Sequence, residues 1–532
     1  MKSFSAYPSR RSMVVGRGGM VATSHPLAAQ AGLQMLAQGG TAADAVIAAA
    51  AVLNVVEPMS TGIGGDAFAL VYDAKTKSVK ALNGSGRAPK RLTREVFAAQ
   101  GLSTIPLTGV LPITVPGAVS AWDTLIKHHG KLDFARILAP AIRYAQDGFA
   151  VSEIIARGWA TAEQKLRQHP DAARIYLPHG RAPRLGEVIV QRELADTFRE
   201  IVRGGADSFY RGALADRIVT ALARDGAYLS HDDMASHQSE WVAPATAQYR
   251  GYDVFECPPN GQGLTALLAL RILDGFDLAS MQPHAAASLH LQIEAMRLAF
   301  TDAARHIADP AFQETPIHAL LSEQYTATRR AQIRSDVVGD FHSGALPISH
   351  DTVYVTAVDS EGNAVSFINS LYYGFGSGVV AGDTGICMQN RGACFVLTAG
   401  HPNALEPAKR PYHTIIPCMV TKNGELWSSF GVMGGFMQPQ GHAQMLVNMI
   451  DYGMNPQEAL DAPRYELLEP YEGKRTLALE HSPEVQSALV QLGHDVVPAA
   501  VGGFGGGQII VVQDGTAYGG SDPRKDGCVV AL

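Results

Sequence analysis

Cysteine is scarce in this chain and poorly placed for chemistry. Cys257, Cys387, Cys394, Cys418 and Cys528 are five in number and contain no CxxC pair, so neither a disulfide framework nor a zinc site is expected. A basic surplus is missing too. The net charge is −7 with 17% charged residues and no basic patch, which removes nucleic acid from the expected partners. The opening MKSFSAYPSRRSMVVGRGGM has basic residues but no apolar run of about 7–15 residues behind them. Neither a signal peptide nor a membrane anchor is therefore expected, and a cytoplasmic location is the default. No linker divides the 532 residues, although about 100–200 residues per domain would suggest two to four units. No repeat is evident, and no cofactor motif survives inspection. The glycine-rich Thr61 to Gly65 turn enters a strand rather than a helix, which argues against a phosphate cradle. Gly374-Phe-Gly376-Ser-Gly378 does not match GxGxxG, and no acidic residue on a following strand stands about 20 residues later.

What is present is a hydrophobic fraction of 46% in alternating and helical patterns. From Val21 the chain reads as a short strand, a helix closed by Gly39-Gly40, and a second helix apolar nearly all round, which belongs in a core. A strand pair follows, turning at Asp73 to Lys77. Val115 to about Phe341 is mainly helical, with stops at Gly130 and Gly148 and helices at Arg192–Val202, Ala213–Arg224, Leu264–Asp274 and Ala285–His306. A strand at Gly251–Pro259 interrupts them. His128, His129 and His306 lie in helices without ligand spacing. Glu323 to Leu346 is polar and glycine-broken, an accessible loop by its composition. Near the C-terminus a strand runs into Gly434-Gly435 and a helix, and two more strands flank Asp514-Gly515. Strands at both ends with helices between and among them indicate an α+β layered fold.

The segment HDTVYVTAVDSEGNAVSFINS, His350 to Ser370, reads as a hairpin headed by Thr352. Val353, Val355 and Ala357 point one way, Tyr354, Thr356 and Val358 the other. A threonine hydroxyl is a weak nucleophile at neutral pH, and His350 and Asp351 precede it. Cutting the chain between Asp351 and Thr352 would free an α-amine of pKa about 8 on the nucleophile's own residue, giving a base for attack on an amide carbonyl.

The order and spacing of SHPLAAQAG, GGTAADAV, GIGGD, VPGAV, APAIRYAQDGF, TVYVTAVD, GFGSG, KRP, VMGG, DAPR and GGSDPR resemble the γ-glutamyltransferase family of autoprocessing N-terminal nucleophile hydrolases. The resemblance implies a four-layer αββα sandwich and a self-cut precursor. Residues 1–351 and 352–532 would become large and small fragments, each the other's partner in one intertwined domain, with a dimer of the cut pair left open. It also implies that Ser370 hydrogen-bonds the nucleophile and that the N–H groups of Gly434 and Gly435 stabilise the oxyanion. The substrate would be a small-molecule amide, and no cofactor is implied.

The sequence departs from the family where the family holds glutamate. Ser85 stands where its carboxylate-binding arginine would be, and Cys394 where its amine-binding aspartate would be. Tyr372 replaces an asparagine, and His413 and Thr414 replace paired serines. Arg87 and Arg391 remain as candidate carboxylate anchors. The pattern is similar to the oxamate amidohydrolase and cephalosporin-acylase-like branches, and a non-catalytic relative that merely keeps the fold is the rival reading. The rivals separate on incubation: mass spectrometry of the purified protein should find a new N-terminus at Thr352, and Thr352→Ala should remain one chain. Amide hydrolysis by a chain that stays whole would overturn the mechanism.

Overall fold

The computed structural model describes residues 11–341, 352–468, 470, 475–499 and 503–532. Asp351, His350 and the end of the polar stretch before them lie outside the described residues.

Two seven-stranded antiparallel sheets form the centre. The first runs, in spatial order, Cys528–Ala531, Met20–Thr23, Val353–Val358, Ala364–Ser370, Asp66–Asp73, Ser78–Gly84 and Glu240–Val242. The second runs Val14–Gly16, Thr516–Ser521, Gly506–Gln513, Glu425–Met433, Cys418–Lys422, Tyr252–Glu256 and Ala245–Tyr249. Alternation along Val353–Val358 sorts its residues as expected. Val353, Val355 and Ala357 join one core with the helices Pro26–Ala37, Ala42–Val56, Ala118–His129 and Phe134–Asp147. Tyr354 and Val358 join Phe68, Ile368, Met419 and Ile510 between the sheets. Behind the second sheet a third core gathers Val420, Phe430 and Ile509 with the helices Gly263–Leu273, Ala286–His306 and Met437–Leu446. The layers are therefore helix, sheet, sheet, helix, an α+β sandwich.

The sheets are registered by contacts that lead toward one end. Thr356 Oγ1 lies 2.6 Å from Ser429 Oγ. Two residues nearer Thr352, the Tyr354 ring occupies the place a Cβ on Gly431 would take, 2.5 Å from its Cε2. Continuing this stacking brings the start of one central strand beside the end of the other, where Gly434 follows Met433.

The apolar helix at Ala42–Val56 is buried along its whole length. Its start is a capping box: Asp44 Oδ2 accepts from the Thr41 N–H at 2.8 Å, and Thr41 Oγ1 from the Asp44 N–H at 3.3 Å. Three features differ from the sequence expectations. The helix beginning at Arg192 continues to Tyr210 through a break at Gly205 (φ 61°), because Phe209 and Tyr210 bury beyond the glycines. The strands Glu240–Val242 and Ala245–Tyr249 are too short, and too closely broken by Pro244, to announce themselves. Part of the polar stretch is the helix Glu323–Arg330, whose charges are spent on neighbours: Arg329 pairs with Asp302, and Arg330 donates to the carbonyls of Ile272 and Arg271. Among the described residues no helix is long and apolar enough to cross a membrane.

Leu53→Ala in the fully buried helix should cost about 2–5 kcal/mol by denaturant titration. Leu185→Ala, at a site 64% exposed, should change stability by less than about 0.5 kcal/mol.

Candidate active site

Thr352 precedes the first residue of a central strand and is 2% exposed. Pairing of Val353 with Asn369 sets it opposite Ser370, and the Thr352 hydroxyl donates to Ser370 Oγ at 3.3 Å. Ser370 Oγ also accepts from the Tyr372 N–H at 2.9 Å and from Arg391 Nη2 at 3.3 Å. On the other side Gln438 Nε2 reaches Thr352 Oγ1 at 3.4 Å, while its Oε1 is held by the Ile416 N–H at 2.9 Å. The nucleophile candidate, its hydroxyl neighbour and one arginine thus share a chain of contacts.

Arg391 heads the short helical turn Arg391–Cys394 and is 0% exposed. Nη1 donates to Thr414 Oγ1 at 2.8 Å and approaches Cys394 Sγ at 3.9 Å. The guanidinium lies 4.3 Å over the Tyr372 ring. Nε has no hydrogen-bond partner, and no carboxylate pairs with this arginine among the described residues. Tyr372 is itself held at φ 84°, a conformation that costs free energy in a residue with a Cβ and is found where surroundings over-determine it.

His413 is fully buried one residue before Thr414. Its Nε2–H donates to Asp66 Oδ2 at 3.1 Å, leaving Nδ1 to accept the Ile415 N–H at 3.4 Å. Both ring nitrogens are therefore engaged by the protein. Burial, and then the Arg391 charge, lower its pKa to about 3, outweighing Asp66. Asp66 accepts at Oδ1 from the N–H groups of Gly86 and Gly117, each at 3.0 Å, and from Gln389 Nε2 at 2.9 Å.

Gly434 and Gly435 turn the chain between the strand Glu425–Met433 and the helix Met437–Leu446 at φ 124° and 58°. A Cβ on Gly434 would stand 2.9 Å from Gly505 Cα. The Gly434 carbonyl accepts from the Met437 N–H at 3.0 Å, and the Gly435 carbonyl from the Gln438 N–H at 3.2 Å. Neither glycine N–H has a protein acceptor among the described residues.

Arg87 is not brought to this cluster. It is committed to Asp309 at 3.1 Å, the Ala408 carbonyl at 3.1 Å and Glu240 at 3.6 Å. Ser85 bonds Asn83 Oδ1 at 2.7 Å. Two surface concavities of 560 and 460 Å³ are lined by other residues altogether. The one metal-ligand grouping among the described residues, Glu256, Cys418 and His442, does not suit an ion. His442 donates from Nδ1 to Glu256 at 2.7 Å and accepts the Val432 N–H at Nε2, so both ring nitrogens are used. Gln438, Gln262 and Asp66 escaped the sequence reading. Their shared signal is a position within four residues of a glycine turn.

A helix–sheet–sheet–helix sandwich with a hydroxyl residue heading a central strand defines the N-terminal nucleophile hydrolase class. The profile described as gamma-glutamyltranspeptidase matches residues 28–532, and the chain belongs to that family. It is 42% identical to the glutathione hydrolase-like YwrD proenzyme of Bacillus subtilis (strain 168), over 98% of this chain and 99% of that protein. It is 36% identical to the oxamate amidohydrolase proenzyme of Klebsiella pneumoniae, over 96% of this chain and 98% of that one. The structure of cephalosporin acylase from Bacillus halodurans superposes with a TM-score of 0.92 at 46% identity, covering 100% of this chain and 99% of that chain. The protein is an enzyme, a hydrolase or transferase of amides.

Because His413 is neutral when folded, unfolding lets it gain a proton below its ordinary pKa of 6.5. Its contribution is nil above that pH and becomes progressively destabilising as pH falls from 6.5 toward about 3. His413→Asn should flatten that part of the stability profile when denaturation midpoints are compared at pH 7 and pH 5, and an unchanged slope would show that His413 does not carry it.

Proposed function

We propose that the chain is an autoprocessing amidohydrolase or acyltransferase acting on small amides that bear a carboxylate and lack an ammonium beside it, oxamate and dicarboxylic monoamides among them. The cut falls between Asp351 and Thr352, separating residues 1–351 from 352–532. The two parts stay together because Val353–Val358 is hydrogen-bonded within one sheet to Met20–Thr23. Thr352 Oγ attacks the amide carbonyl, its freed α-amine takes the proton and passes it to the leaving nitrogen, and water or an amine resolves the acyl-enzyme. Gly434 and Gly435 offer N–H groups to the oxyanion. Ser370 orients the nucleophile.

The observation that carries the substrate reading is Arg391. Its guanidinium is fully buried, faces no carboxylate among the described residues, and bonds the same Ser370 hydroxyl that Thr352 bonds. An unpaired buried charge costs free energy that a substrate carboxylate relieves, and the unpartnered Nε leaves one edge of the fork for it. Tyr372 and Thr414 hold that fork in place, and the neutral His413 nearby adds no competing positive charge. Arg87, paired elsewhere, is the weaker anchor.

The alternative is a γ-glutamyltransferase or glutathione hydrolase. Such a substrate carries an ammonium, and the Arg391 wall offers it no free acid: Cys394 is a thiol whose pKa burial raises, and Asp66 already accepts four hydrogen bonds. Each missing charge-assisted contact is worth about 1.5–3 kcal/mol. The cut enzyme should therefore favour oxamate or a glutaryl anilide over γ-glutamyl anilide by about 10²-fold or more in kcat/KM. Arg391→Gln should lower the preferred activity by about 10–100-fold. A γ-glutamyl preference of tenfold or more would make this a transpeptidase with unfamiliar anchors.

A further inference from the structure

We propose that Gln262 is a positioning residue for acyl transfer, setting the distance between the oxyanion turn and the wall of the acyl pocket. Its one amide nitrogen donates to two carbonyls, that of Gly435 at 2.9 Å and that of Thr414 at 2.6 Å. Carbonyls only accept, so this atom is the NH₂ and not the oxygen. Oε1 lies 3.1 Å from the Tyr412 hydroxyl, which donates to it. The backbone beneath is equally fixed: the Gln262 N–H donates to the His413 carbonyl and the His413 N–H to the Asn260 carbonyl, both at 2.9 Å. The residue is wholly buried.

This arrangement suits glutamine and little else. Two protons without a formal charge are needed to draw two carbonyl oxygens toward one point. Glutamate would turn a carboxylate on both carbonyls, and leucine of similar size would remove the shared donor, leaving the Gly435 carbonyl only its bond from the Gln438 N–H. Gln262 also precedes Thr352 in the chain, whereas Gly435, Thr414, Ser370 and Arg391 all follow it. The large fragment thus braces these four residues of the small one. Fixing the Gly435 carbonyl restrains the peptide next to the candidate oxyanion donors. Fixing the Thr414 carbonyl restrains the residue whose hydroxyl holds Arg391. A brace between the two ends acts on transition-state geometry more than on substrate capture, since misplacement by about 1 Å can cost 10²-fold in rate.

The inference rests on the proposed oxyanion role of Gly434 and Gly435, and the test separates the two. Gln262→Glu, Gln262→Leu, Tyr412→Phe and Gly434→Pro are compared with the wild type on whichever amide it turns over fastest, with activity normalised to the fraction of chains cut. Both Gln262 variants should lose about 10–100-fold in kcat with KM within about threefold. Tyr412→Phe, which releases only the oxygen, should fall between them and the wild type. A rise in KM with kcat intact, or no change in either, overturns the role of Gln262. If Gly434→Pro is inactive while the Gln262 variants are fully active, only the present inference fails. If Gly434→Pro is active, the oxyanion assignment fails first. Should either Gln262 variant not fold, Tyr412→Phe decides: kcat equal to wild type then overturns the proposal.

Discussion

A guanidinium buried against an aromatic ring, with no carboxylate beside it among the described residues, is the constraint that organises the Arg391 site. Each neighbour offers partial compensation and none offers a counter-charge: hydroxyls from Thr414 and Ser370, a ring face from Tyr372, a thiol from Cys394. The nearby imidazole of His413 stays neutral, partly because a second positive charge beside the first would be costly. Lysine could not hold the same position. A single ammonium cannot bond Thr414 and Ser370 in the manner of a planar fork while stacking on tyrosine.

Assembly of that site follows from how the two sheets stack. Thr356 against Ser429 and Tyr354 against Gly431 are successive rungs between two central strands. Because side chains alternate with a period of two, those rungs leave Thr352 at the next inward position, where the opposing strand ends in its glycine turn. Gly431 is small because Tyr354 fills the gap. A Cβ there would push the sheets apart just before Thr352 and the glycine turn. The strand holding Thr352 lies between Met20–Thr23 and Ala364–Ser370, which belong to opposite sides of the proposed cut. A break in the backbone before Thr352 therefore leaves the inter-strand bonds on both flanks intact.

Much of this is legible in the sequence. The hairpin's alternation assigned Val355 and Tyr354 to different layers, and the all-apolar run at Ala42–Val56 marked a helix with no solvent face. Both readings depend on local periodicity, which sequence carries directly. Arg391 was visible as a candidate only through its place in QNRGACF, whereas the commitment of Arg87 to Asp309 and Glu240 was not visible. Those acids are 222 and 153 positions away, and nothing local distinguishes a paired arginine from a free one. Asp66 and Gln262 were hidden for the same reason. Their partners, His413 and Gly435, lie in segments that only the tertiary fold brings near. The helix at Glu323–Arg330 differs from the loop its polarity suggests because Arg329 and Arg330 are satisfied by neighbouring elements.

The uncharged amides around the site now acquire a common reason. Gln438 touches Thr352, Gln389 binds Asp66, and Gln262 joins Gly435 to Thr414. An amide can donate and accept at once, so it fixes geometry while adding no charge. A glutamate at position 389 or 438 would bring a carboxylate into the neighbourhood of Arg391 and offer the arginine an internal partner. The guanidinium would then hold an internal counter-charge, and a substrate carboxylate of the proposed kind would have to displace that partner. Neutral amides at 389 and 438 add no further carboxylate to this shell, where Asp66 is already committed to four hydrogen bonds, so no acid among the described residues pairs with the Arg391 charge.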